Sequence, residues 1–173
     1  GSKDSERRLT LDGERHALEL GDYLRTQGVT VDAVLCSSAA RARQTLELLK
    51  LDDQLDPDRV EIADRFYNAG TDTLINAVRE LPNDCQVALL VGHAPGAPGV
   101  VYELTDQTTS TAEAVSAIDG RFPAAALAQL EFDGDWQALF AARSNRLHSV
   151  FLGDPAHPAA GIVELVQFAD GAD

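Results

Sequence analysis

Positive charge is scarce in this chain: 14 lysines and arginines stand against 28 acidic residues, a formal net charge of −14. A field of that sign argues against nucleic acid and anionic membrane as partners held by overall charge. Any anion the protein binds needs a local positive island of a few arginines and backbone N–H groups. Cysteine is scarce too, with only Cys36 and Cys85. Each falls near an apolar run that reads as an interior strand. Both are expected as reduced core residues of a cytoplasmic protein, not as a disulfide. No apolar stretch reaches the ~18 residues of a membrane span. The polar opening, residues 1–8, has no signal-peptide character. A Walker loop, a dinucleotide glycine signature and a serine nucleophile elbow are all missing. His148 and His157 lack an accompanying carboxylate or thiolate pattern and read as surface-loop residues, so neither a metal nor a cofactor is expected.

What is present suits a packed core. With 173 residues and 45% hydrophobic content, one domain can bury a sizeable core without staples. Thr10 reads as the cap of an amphipathic helix over 11–27 that Gly28 closes. Val31–Cys36 reads as a strand, followed by a helix over about 39–50 capped by Ser37 or Ser38. The Asp/Pro-rich stretch 52–58 is a loop, and Val60–Ile62 a short edge strand. Thr71 or Asp72 caps a third helix to about Leu81, ended by Pro82-Asn-Asp84. Val87–Val91 is a second buried strand, and a helix follows over 97–105. Residues 106–123 form a polar excursion. Ala125–Phe132 is a strand, with a hairpin turn at Asp133-Gly-Asp135 and a return at Trp136–Leu139. Residues 141–160 read as an extra connection or insertion. It overlaps an apolar patch of Phe140, Leu147, Val150, Phe151 and Leu152, which fits a satellite core or a partner surface equally well. Ile162–Phe168 is a final strand. Alternating strands and helices predict a three-layer α/β/α domain with a mostly parallel sheet.

Two strand ends carry the chemistry. The run Val87-Ala-Leu-Leu-Val-Gly-His93 puts a histidine at the carboxyl end of a central strand, where open α/β sheets place their ligand crevice. Cys36-Ser-Ser-Ala-Ala-Arg41 puts an arginine in the first turn of the helix after another strand. Arg41 can fork onto two phosphate oxygens, helped by the helix N-terminus. Arg43, two positions on, faces elsewhere. Taken alone, each has a plain alternative: His93 as a strand cap, the arginines as partners of Glu47. The coincidence of the two ends favours a phosphate site.

The ordered set of segments resembles the histidine phosphatase superfamily, and within it the small SixA-like phosphohistidine phosphatases. The resemblance runs through Arg8-Leu-Thr-Leu-Asp-Gly13, Val34-Leu-Cys-Ser-Ser-Ala-Ala-Arg-Ala-Arg-Gln-Thr45 and Phe66-Tyr-Asn-Ala69. It continues through Leu89–Gly96, Phe122–Ala128 and Leu130–Trp136, about residues 8–139 in all. It implies a phosphoglycerate mutase-like fold and hydrolysis of a phosphohistidine protein or a small phosphoester. A nucleophilic histidine would take the phosphoryl group and water would release it. Arg41 matches the family's second arginine and His93 its second histidine. The family's first strand ends in Arg-His-Gly or Arg-His-Ala, and no such strand stands at the start of this sequence. Arg15-His16 lies inside the first helix, with His16 expected to face solvent. Three arrangements are open: a first strand upstream of this chain; Ile162–Ala169 in the missing strand's slot, with Gln167-Phe168 where Arg-His belongs; or Ile162–Phe168 as the usual final strand with the central slot otherwise filled. The last is preferred to the second, with a homodimer as one way to complete the sheet. The alternative function is an inactive member that binds a phosphorylated ligand or a protein partner.

Overall fold

The computed structural model describes residues 3–93, 96–105, 112, 127–133, 135–138, 146–151 and 161–168. Most of the 106–123 excursion, the hairpin residue Gly134, His157, Phe140 and Leu152 lie outside the described residues.

Two apolar runs set the sheet. Ala33–Ser37 (β1) is buried along its whole length, and Val87–Gly92 (β3) along all but its first residue. Strands without polar alternation require helices over both faces. Val34, Cys36, Leu89 and Val91 pack in one cluster, covered by Leu11–Thr26 (α1) and Ala40–Leu48 (α2) through Leu20, Leu24 and Ala42. Ala33, Leu35, Ala88 and Leu90 pack in the other, covered by Thr71–Arg79 (α3) and Gly96–Leu104 (α4) through Leu74, Val78, Val100 and Leu104. The three layers expected from the alternation of elements are thus formed by the period-2 split of each strand's side chains.

The ends of α1 follow local chemistry, whereas α3 starts from Gly70 with no side-chain cap instead of at Thr71 or Asp72. Thr10 caps α1 by accepting the Gly13 N–H at 3.0 Å. Beyond its other end Gly28 takes the left-handed conformation, φ 71°. The start of α2 departs from expectation: its N-cap is Ala39 and no side chain caps it there. Ser37 accepts the Ala39 N–H at 3.2 Å, and Ser38 donates to Asp64 at 2.5 Å. His16 also departs, being buried rather than solvent-facing. It precedes Ala17, which packs with Leu9 and Leu48 where the N-terminal stretch meets α1 and α2.

The six strands lie in the order β2 (Val60–Ala63), β1, β3, β6 (Gly161–Phe168), β4 (Leu127–Asp133), β5 (Arg146–Phe151). β1 pairs in parallel with β2 and β3, and β4 with β6. The β3–β6 and β4–β5 ladders are antiparallel.

Two placements differ from the sequence expectation. Trp136–Ala138 does not return as a hairpin arm, and Leu139 lies outside the described residues. Residues Trp136–Ala138 form a 3-10 turn, and β4 takes β5 as its antiparallel partner. Burial draws the indole inward, where its N–H donates to the Cys85 carbonyl at 2.9 Å. Nor does another segment fill the slot beside β3, as the preferred arrangement has it. β6 lies inside the sheet, with Glu164 between Leu89 and Gln129. An empty slot there would leave two rows of backbone polar groups unpaired, and an interior strand satisfies both. The permuted placement holds in position, since β6 fills the slot beside β3, but not in direction, since β6 runs antiparallel to β3. Gly161 is the residue beside Gly92, while Gln167 and Phe168 lie at the opposite end, beside Phe132 and Asp133.

Candidate active site

The carboxyl ends of β1, β2 and β3 open on the same edge of the sheet, because these three strands are parallel neighbours. β1 ends in Ser37 and turns directly into α2, which places Arg41 in the first turn of that helix. β3 ends in Gly92, and His93 comes next. The His93 carbonyl accepts the Ala97 N–H at 2.9 Å, which ties the histidine backbone to the start of α4. The chain after β2 makes a 3-10 turn over Asp64–Phe66 and then presents Tyr67. Both residues singled out from sequence, Arg41 and His93, are therefore at one site.

His93 is half-buried. Its Nε2 is 2.8 Å from the Ser37 hydroxyl, and the Tyr67 ring stands edge-on to it at 5.8 Å between centroids, 84° between planes. Burial, with the nearby Arg41 charge adding to it, pushes the imidazole down to about 4, against an opposing pull from Asp4. His93 is consequently neutral at pH 7 and can bond an oxyanion without carrying charge.

Arg41 already holds an anion. Its Nη1 donates to the Asp4 carbonyl at 2.9 Å and its Nη2 to the Asp4 carboxylate at 3.1 Å. The Tyr67 hydroxyl donates to the same carboxylate oxygen at 2.6 Å. That hydrogen bond, with the Arg41 charge, holds the Asp4 carboxyl down at about 2. Asp4 sits in a short 3-10 turn, Asp4–Glu6, ahead of α1. The segment is anchored further on, where the Leu9 N–H donates to the buried Gln44 side chain at 2.8 Å. The carboxylate stands in for an oxyanion, its charge shared between a guanidinium and a phenol.

Asp4, Ser37 and Tyr67 escaped sequence reasoning as site residues. Tyr67 lies within the Phe66–Ala69 segment that carries part of the family resemblance, and Ser37 read only as a helix cap. Asp4 joins through contacts 37 and 63 positions away, to Arg41 and Tyr67. Arg43 is exposed and faces a different groove, lined with Leu46, Leu51 and Ile62. Among the described residues no group of three or more His, Cys, Asp or Glu is placed to hold a metal ion. Among them, too, no helix is long and apolar enough to cross a membrane.

An α/β sheet of this order, with an arginine and a histidine at neighbouring strand ends, defines a protein of the phosphoglycerate mutase-like class. Residues 1–68 match the family model of the histidine phosphatase superfamily, branch 1. An uncharacterised protein of Mycobacterium leprae is 34% identical over 136 residues, 79% of this chain and 81% of that protein. One from Mycobacterium tuberculosis is 35% identical over 136 residues, 79% and 83% of the two chains. Among solved structures, one designated phosphohistidine phosphatase SixA, from Nakamurella multipartitia, superposes with a TM-score of 0.68 at 29% identity, covering 88% of each chain. The protein histidine phosphatase SixA complexed with tungstate gives a TM-score of 0.54 at 27% identity, over 62% of this chain and 69% of that one. The chain belongs to the histidine phosphatase superfamily.

Proposed function

We propose that the chain binds a phosphoryl group between Arg41 and His93 and acts in phosphatase-type hydrolysis of a phosphohistidine protein or a small phosphoester. The observation that carries this reading is the Arg41 fork with a carboxylate already on it, beside a neutral imidazole. A phosphoryl group would displace Asp4, take the guanidinium and the α2 N-terminus as counter-charge, and accept a hydrogen bond from His93. The tungstate complex of a SixA relative supports an oxyanion site in this fold. The test is hydrolysis of a generic phosphoester and of a phosphohistidine-bearing protein by wild type, His93→Ala and Arg41→Ala. Each substitution is expected to lower kcat/KM by roughly 100-fold or more. Robust turnover that survives both overturns the assignment.

A second reading, phosphoryl binding without turnover, is favoured by one specific observation. The strand beside β3 brings Gly161 to Gly92, so that neighbour offers no side-chain nucleophile at the site edge. Vanadate binding by calorimetry together with no product release would select it.

A further inference from the structure

Ser37 is fully buried, and its hydroxyl has one proton to donate and two lone pairs to accept with. One lone pair is taken by the Ala39 N–H, a main-chain donor that cannot reverse its role. The other contact is His93 Nε2 at 2.8 Å, a ring nitrogen that donates or accepts according to tautomer. If Nε2 carried the proton, Ser37 would accept twice. Its own proton would then be buried with no other acceptor among the described residues, which is the costly arrangement.

We propose that Ser37 is the positioning residue for His93: its hydroxyl donates to Nε2, holds the imidazole as the Nδ1–H tautomer, and leaves Nδ1–H as the donor offered to a phosphoryl oxygen. The geometry stands on its own, while the use of that donor rests on the phosphatase reading. One further contact limits the ring's freedom to reverse. The Tyr67 ring stands edge-on against the imidazole, while the Ala97 N–H fixes the His93 backbone. The charged groups that face His93 are Arg41 and Asp4, of opposite sign, and neither bonds the ring. The hydroxyl therefore chooses the tautomer, and the charges set only how readily the ring protonates.

The test is a long-range proton–nitrogen correlation spectrum of the protein labelled with 15N-histidine at pH 7, with His93 assigned by its loss in His93→Gln. The expected wild-type pattern is a protonated Nδ1 and a bare Nε2. In Ser37→Ala the population should move towards Nε2–H, and Ser37→Thr, which keeps a hydroxyl, should restore the wild-type pattern. Vanadate affinity is expected to fall roughly tenfold in Ser37→Ala and to recover in Ser37→Thr. A wild-type Nε2–H signal, or a tautomer unchanged in a folded Ser37→Ala, overturns the proposal. Correct tautomers combined with absent phosphatase turnover would overturn the phosphatase reading and leave the positioning role intact.

Discussion

Arg41 and Asp4 grip one another across 37 positions of sequence, through both the carbonyl and the carboxylate of the aspartate. The Arg41 side chain retains only 20% of its exposure, and the contact takes one guanidinium nitrogen to the carboxylate and the other to the carbonyl. On the proposed reading, a phosphoryl group has to displace the Asp4 carboxylate from Arg41.

The first expectation concerns that competition. Asp4→Asn keeps the size of the side chain but removes its charge. Phosphate and vanadate should bind roughly fivefold more tightly, the scale set by loss of a partly exposed ion pair. Calorimetric titration of both proteins checks this, and equal affinities would show that Asp4 does not compete. Since the Asp4 carboxyl lies at about 2, the competition persists throughout the usual assay range.

His93 gives a pH signature. Its midpoint should fall near 4, observed by NMR titration of the ring. Arg41→Ala should raise that midpoint by removing a like charge, and Asp4→Asn should lower it by removing a carboxylate. The linked stability has a definite sign. The unfolded imidazole titrates near 6.5 and the folded one lower, so the unfolded chain binds more protons between the two values. Stability from this group is complete above about 6.5 and is lost as pH falls towards 4. Urea midpoints at pH 7 and pH 4.5 should therefore differ less in His93→Gln than in wild type.

Packing behind the site is tight at Gly96. A β-carbon there would clash with the Ala69 carbonyl oxygen and meet Leu74 Cδ1 at 3.1 Å. Gly96→Ala should cost about 1–3 kcal/mol, measured by urea unfolding, because a backbone atom has to move. Vanadate affinity should fall with it, since α4 begins there and is tied to the His93 carbonyl. Unchanged stability would show that α4 and the Ala69 turn are not in contact.

The interior position of β6 has its own test. Glu164 is paired on both sides, to Leu89 and to Gln129. Glu164→Pro should destabilise the fold by roughly 3 kcal/mol or more, as proline does inside a sheet. A cost below about 1 kcal/mol would place this segment at an edge.

Much of the fold is legible in the chain because its signals are local. The apolar runs 33–36 and 87–91 lack polar alternation, and this alone requires two covering layers. Thr10 and Gly28 mark the ends of α1 by cap chemistry and by a positive φ. Arg41 and His93 are legible for the same reason, since each lies within a few residues of a strand end and parallel strands bring their carboxyl ends to one edge. Ser38 and His16 depart from expectation because pattern alone does not say which polar side chains find partners or where helices meet. The hairpin after β4 fails because burial of Trp136 beside Cys85 outweighs a turn signal at 133–135.

The sequence by itself determined the layer count, the order of elements through α4 and the placement of Arg41 and His93 at neighbouring strand ends, all set by periodicity and by the few residues directly after each strand. Only tertiary structure decided the direction of β6, the hold of Asp4 on Arg41, and the hydrogen bond from Ser37 to His93. Those depend on long-range pairing, in which backbone satisfaction and charge neutralisation select among placements that the local pattern leaves equal.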